Sequence, residues 1–204
     1  MGIALHKKKT SHSTLMTEGS IWKHILFFSI PLILGNMLQQ LYNTVDSIVV
    51  GNFLGSEALA AVGSSSSLIM LLISFSMGAA AGAGVIVSQF IGAQNKKGIH
   101  ESVHTALAIA LILGVVLTAA GLILSPQILR WMGTPEEVMP QSITYLRLYF
   151  AGVIFSILYN MASGILNAVG NSKRALLYLA IASFTNIILD LLFIPVLKMG
   201  IAGA

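Results

Sequence analysis

Gln39-Gln40-Leu41-Tyr42-Asn43-Thr44-Val45-Asp46 lies inside a long apolar run over residues 25–50. About 20 mostly apolar residues cross a bilayer as a helix, so this run is long enough to span one. A carboxylate at that depth costs a few kcal/mol or more, and it persists only when paired, protonated or bound to a cation. A second stretch, Asn186-Ile187-Ile188-Leu189-Asp190, carries the same feature late in the chain. The other acidic residues (Glu18, Glu57, Glu101, Glu136 and Glu137) fall in a polar tail, in connections or at helix ends. The chain therefore reads as a membrane bundle built around Asp46 and Asp190.

Composition agrees. Hydrophobic residues make up 56% of the 204 and charged residues only 9%, against roughly 25% charged in a soluble domain. The net charge of +4 does not point to nucleic acid, because the few basic residues sit between apolar runs. There is no cysteine, hence no disulfide framework. Residues 1–19 are polar and basic, without the apolar core of a signal peptide, and are expected to form a disordered cytoplasmic tail. Residues 20–204 are expected to form one all-α, polytopic helix bundle.

Four further apolar runs follow, over residues 59–91, 103–124, 143–169 and 175–194. Ser20 is the expected N-cap of the first helix, Pro31 the expected bend or hinge within it, and residues 51–57 the expected turn after it. In the second run Gly78 and Gly82 have the spacing that lets helix backbones approach closely. Ser125-Pro126 is expected to end the third helix, leaving 127–132 as a short interfacial helix anchored by Trp131. Arg147, near the start of the fourth run, is expected to snorkel to the interface. Asn160 and Asn167 share a face of that run, with Ser163 between them. His100 and His104 are four apart, but the one nearby third ligand, Glu101, points to another face, so they read as an interfacial pair. Residues 198–204 read as the start of a sixth helix near Gly200.

Basic residues give an orientation. Lys7, Lys8, Lys9, Lys23, Lys96, Lys97, Lys173 and Arg174 fall on one side, against Arg130 and Lys198 on the other. By the positive-inside rule the amino terminus is cytoplasmic. The two aspartate-bearing helices then run the same way, each with its carboxylate in the outer half, which makes a shared depth plausible.

Gln39, Tyr42 and Asp46 lie on one helix face, as do Asn186 and Asp190 on theirs. Together they offer carboxylate, amide and phenol oxygens of the kind hard cations take, so sodium is one possible occupant. A proton is the other, since burial disfavours a charged carboxylate. The plain alternative is two aspartates satisfied separately by backbone, Asn and Ser groups. No nucleophile elbow, zinc-binding His-Glu-x-x-His or nucleotide loop occurs, so the chain reads as no enzyme and calls for no cofactor beyond a coupling ion.

Ile30-Pro31, then Val45-Asp46-Ser47-Ile48-Val49-Val50-Gly51, then Leu54-Gly55-Ser56-Glu57-Ala58-Leu59-Ala60, with Thr185-Asn186-Ile187-Ile188-Leu189-Asp190 later, resembles the multidrug and toxin extrusion (MATE) family. The resemblance covers nearly the whole chain after the tail. It implies a twelve-helix antiporter of two six-helix lobes around a V-shaped cavity in the cell membrane. Such a protein exports small amphipathic or cationic organic compounds against inward proton or sodium flow. Asp46, Asn186 and Asp190 resemble its cation-linked residues, and Gln39 and Tyr42 its polar cavity network, to which Asn160 and Ser163 are added as cavity residues. Five helices and the start of a sixth make about half of that architecture, so the partners implied are membrane lipid and a C-terminal lobe beyond Ala204. Two other readings stand beside this one. A lipid-linked oligosaccharide flippase of the same superfamily would place several basic residues along the cavity, where only Arg147 is a candidate. A non-transporting scaffold subunit would have no use for buried carboxylates.

Overall fold

The computed structural model describes residues 21–203, apart from the side chains of Ile21 and His24. The tail, the Ser20 cap and Lys7, Lys8 and Lys9 lie outside the described residues. Five helices follow in order: α1 (Ile21–Leu54), α2 (Ser56–Gly92), α3 (Lys96–Trp131), α4 (Met139–Ala168) and α5 (Ser172–Phe193). All five are long and apolar enough to cross a membrane, and no strand occurs among the described residues. The chain is an all-α membrane bundle.

Consecutive helices run antiparallel. One end, here the near end, gathers the start of α1, the α2–α3 connection and the α4–α5 connection. The far end gathers the α1–α2 and α3–α4 connections and the end of α5. α2, α3 and α4 pack together most extensively, α1 pairs with α5, and α1 leans more lightly on α2. The main core fills the three-helix group: Leu72 and Ala80 from α2, Ala106, Ala110 and Leu129 from α3, and Leu146, Phe150, Val153, Ile157 and Met161 from α4. A smaller core at the far end joins Val49, Val50, Ala58 and Ile194. Most other large apolar side chains face outward, as lipid-facing residues do.

Several expectations are corrected. The turn expected over 51–57 shrinks to Gly55 alone, because α1 continues to Leu54 and α2 starts at Ser56. Gly55 takes φ 86°, a left-handed conformation in which a side chain is strained, so one residue reverses the chain. The α2–α3 connection is also short, because α2 runs to Gly92 and α3 starts at Lys96. Asn95 caps α3, its side chain accepting from the Gly98 amide at 2.9 Å. At the end of α5, residues Gly200–Gly203 form a short 3-10 helix packed against α1, α4 and α5.

Pro126 does not end α3, so 127–132 is no separate interfacial helix: α3 runs through to Trp131. Proline at position i frees the carbonyl at i−4, here that of Leu122. Arg147 Nε donates to that same oxygen at 3.1 Å. The replacement donor comes from α4, and continuing the helix lets Leu129 bury completely. Arg147 therefore braces α3 as well as carrying a charge towards the interface.

The Gly78/Gly82 spacing is not a packing seam among the described residues: both glycines are exposed, and a Cβ at either would meet nothing within 4 Å. Close approach occurs one face round, where Ala80 and Gly84 of α2 meet Gly164 of α4. A Cβ on Gly164 would stand 2.6 Å from the Ala80 carbonyl oxygen, and one on Gly84 3.2 Å from that of Gly164. The spacing rule found the right helix but the wrong pair, because Ala80 serves as a small residue too.

Candidate functional site

α1 brings Asp46 to the far end, eight residues before its last residue, and α5 brings Asn186 and Asp190 to the same end. The pairing of α1 with α5 brings Asp46 within electrostatic range of Asp190, and Asn186 lies one turn before Asp190 on the same face of α5. Asp190 is buried, while Asp46 and Asn186 are half-buried. Asp46 Oδ1, Asn186 Oδ1 and Asp190 Oδ2 are each cut off from solvent without a hydrogen-bond partner among the described residues. Buried polar atoms are ordinarily satisfied, so three acceptor oxygens orphaned in one cluster call for a donor or a cation. A hard cation takes oxygens of this type, and the residues present fit sodium or a proton alike.

Tyr145 of α4 joins the cluster. Its phenol, Asp46 and Asp190 lie within direct electrostatic range of one another. Sequence reasoning missed it. The signal available was the pair Tyr145 and Tyr149, four apart and therefore on one face of α4. Tyr42 of α1, one turn before Asp46, lies within electrostatic range of Tyr149 and Tyr159. Gln39 lies on the same α1 face, half-buried. A line of phenols thus runs along α4 away from the carboxylates.

That line leads to a cavity of about 660 Å³ at the near end. Phe28 of α1, Met77, Ala80, Ala81, Gly84, Val85, Ser88 and Gln89 of α2, and Asn160, Ser163, Gly164, Asn167 and Ala168 of α4 line it. The close approach at Gly164 forms part of its wall. Asn160 and Ser163 therefore belong with this cavity and not with Asp46, because Asn160 lies fifteen residues beyond Tyr145, about 22 Å along α4. Asn167 Oδ1 is buried there without a partner among the described residues. The lining is mostly apolar, with amide and hydroxyl groups on the α2 and α4 walls and no charged side chain among the described residues. Pro31 is buried within α1, three residues past Phe28.

The histidine pair makes no metal site among the described residues. His100 and His104 stack with ring centroids 4.0 Å apart, and His104 Nδ1 lies 2.8 Å from the His100 carbonyl oxygen.

Known proteins resemble this chain over most of its length. A probable multidrug resistance protein of Bacillus subtilis, YpnP, is 38% identical over 188 residues, covering 92% of this chain and 42% of its own. A second from the same organism, YoeA, is 37% identical, over 96% of this chain and 42% of its own. Among solved structures, one described as the outward-facing conformation of a multidrug resistance MATE family transporter superposes with a TM-score of 0.89 at 35% identity, over 97% of this chain and 44% of that one. The chain thus spans about two-fifths of the length of the relatives it matches. The MatE family model matches residues 31–192, and on that match the chain belongs to the MatE family.

Proposed function

We propose that this chain forms one lobe of a cation-coupled exporter of small amphipathic or cationic organic compounds. The observation that carries the reading is the cluster of orphaned oxygens on Asp46, Asn186 and Asp190. Two carboxylates in a membrane bundle with no basic partner among the described residues need a neutralising cation, sodium or a proton. Occupancy of such a site drives a conformational change when the two states bind the cation differently. Tyr42, Tyr145 and Gln39 line its approach, and Pro31 serves as the hinge through which α1 responds.

The near-end cavity is the substrate compartment in this reading. Its volume falls within the range typical of small-molecule sites. Apolar walls with Asn160, Ser163 and Asn167 suit an organic compound that offers hydrogen-bond donors. Among the described residues the lining holds no Lys or Arg, whereas a lipid-linked oligosaccharide flippase would place several basic residues along its cavity. The near end is cytoplasmic in this reading, which the basic residues Lys23, Lys96, Lys97, Lys173 and Arg174 support.

The test is dye efflux from vesicles carrying a complete two-lobe transporter with this lobe, under sodium and proton gradients imposed separately. Efflux should follow one gradient and disappear without it. Efflux indifferent to both would overturn the coupling.

A further inference from the structure

Arg147 sits eight residues inside α4, about 12 Å along the helix from Met139. Its exposed neighbours are mostly apolar: Leu122 and Ile123 on α3, the latter 75% accessible, and Leu148 beside it on α4, with Thr144 one turn earlier as the polar exception. A permanent cation thus stands on a surface made for hydrocarbon. The guanidinium is held there from one side, its Nε–H donating to the Leu122 carbonyl that Pro126 leaves free. The N–H groups on its two Nη atoms have no partner among the described residues, and no carboxylate there pairs with it. Asp46 and Asp190 lie on α1 and α5, away from the α3–α4 groove that Arg147 enters.

We propose that Arg147 binds the headgroup phosphate of a membrane phospholipid in the α3–α4 groove. A guanidinium offers two parallel N–H groups that match the oxygens of one phosphate, and charge-assisted bonds of this kind are among the strongest in proteins. Fixing Nε on Leu122 orients the fork in advance, which lowers the ordering cost of binding. The groove floor supplies apolar contact for an acyl chain, through Leu122, Ile123 and Leu148. Trp131 is 77% exposed at the same end of the bundle, where an interfacial anchor belongs. Pro126 and Arg147 work as a unit: the proline opens the carbonyl, the arginine closes it, and the rest of the guanidinium faces the lipid.

The experiment is native mass spectrometry of the whole chain in non-ionic detergent, titrated with phosphatidylglycerol and, as the phosphate-free control, diacylglycerol. Wild type should retain phosphatidylglycerol and shed diacylglycerol. Arg147→Gln should weaken phosphatidylglycerol binding by roughly tenfold or more. Pro126→Ala keeps the arginine but adds an amide that competes for the Leu122 carbonyl, so it should also weaken retention while circular dichroism stays unchanged. Millimolar inorganic phosphate should not displace the lipid. Wild-type retention by a folded Arg147→Gln would overturn the proposal, and should that variant fail to fold, wild-type retention by Pro126→Ala would overturn it instead. Displacement by inorganic phosphate would show a site for soluble anions, and so would also overturn it.

Discussion

Gly164→Ala probes the joint that holds α2 against α4 and walls the cavity. The added methyl would stand 2.6 Å from the Ala80 carbonyl oxygen, 3.0 Å from its carbon and 3.1 Å from its Cβ. Ordinary contact begins near 3.4 Å, so the helices must part by about 0.8 Å at this point. The obstacle is backbone, which no rotamer change can move aside. A gap of that size forfeits roughly a quarter to a half of the local dispersion energy, and overpacking typically costs about 1–3 kcal/mol. Alanine returns about 1 kcal/mol through helix propensity, which leaves a net loss centred on about 1 kcal/mol. Gly84→Ala needs only about 0.2 Å of adjustment from its 3.2 Å contact, and the propensity gain should cancel its cost. Gly78→Ala and Gly82→Ala meet nothing within 4 Å and should be neutral or mildly stabilising. The assay is unfolding in dodecyl maltoside micelles titrated with SDS, followed by circular dichroism. Wild-type stability of Gly164→Ala would refute the reasoning, as would an equal loss in Gly78→Ala.

Asn95→Ala removes the side-chain acceptor for the Gly98 amide and should cost about 1 kcal/mol, read in the same titration. Pro31→Ala should leave helicity intact and slow cation-driven transport in a complete transporter; an unchanged rate would reduce Pro31 to a static kink. Single cysteines at Asn95 and Lys173, both exposed near-end positions, should resist an impermeant thiol reagent in intact cells, while one at Glu136 should react. The reverse pattern would invert the orientation. Lys173 is preferred to the adjoining Ser172, which is buried.

The five spans were legible because each is a long apolar run and because Asp46 and Asp190 stand out against such a background. Connections were read less well, since turn residues were weighed without their tertiary partners. Pro126 looked like a terminator because the donor that replaces its missing amide comes from Arg147, twenty-one residues further on. Gly78 and Gly82 looked like a seam because glycine is conspicuous, while Ala80 and Gly84, which do meet Gly164, differ from them only in facing another way. Within the site, Asp46, Asn186 and Asp190 could be grouped by depth because their helices run in the same direction. Tyr145 escaped because α4 runs the opposite way, so its first turns, not its last, reach the carboxylates. The same reversal carries Asn160 and Ser163 to the other end.

Cation coupling in this lobe requires that Asp46 and Asp190 form one site. The most direct measurement is cation-dependent stabilisation of the purified chain: thermal unfolding at fixed ionic strength, with sodium against choline, and across a pH series. A ligand that binds the folded state at a hundred times its Kd stabilises by about 2.7 kcal/mol. Wild type should gain stability with sodium or with protons. Asp46→Asn and Asp190→Asn should each abolish that gain while keeping wild-type helicity, and the double variant should lose no more than either single one. Retention of the wild-type response by either variant would contradict the shared site and make that aspartate structural.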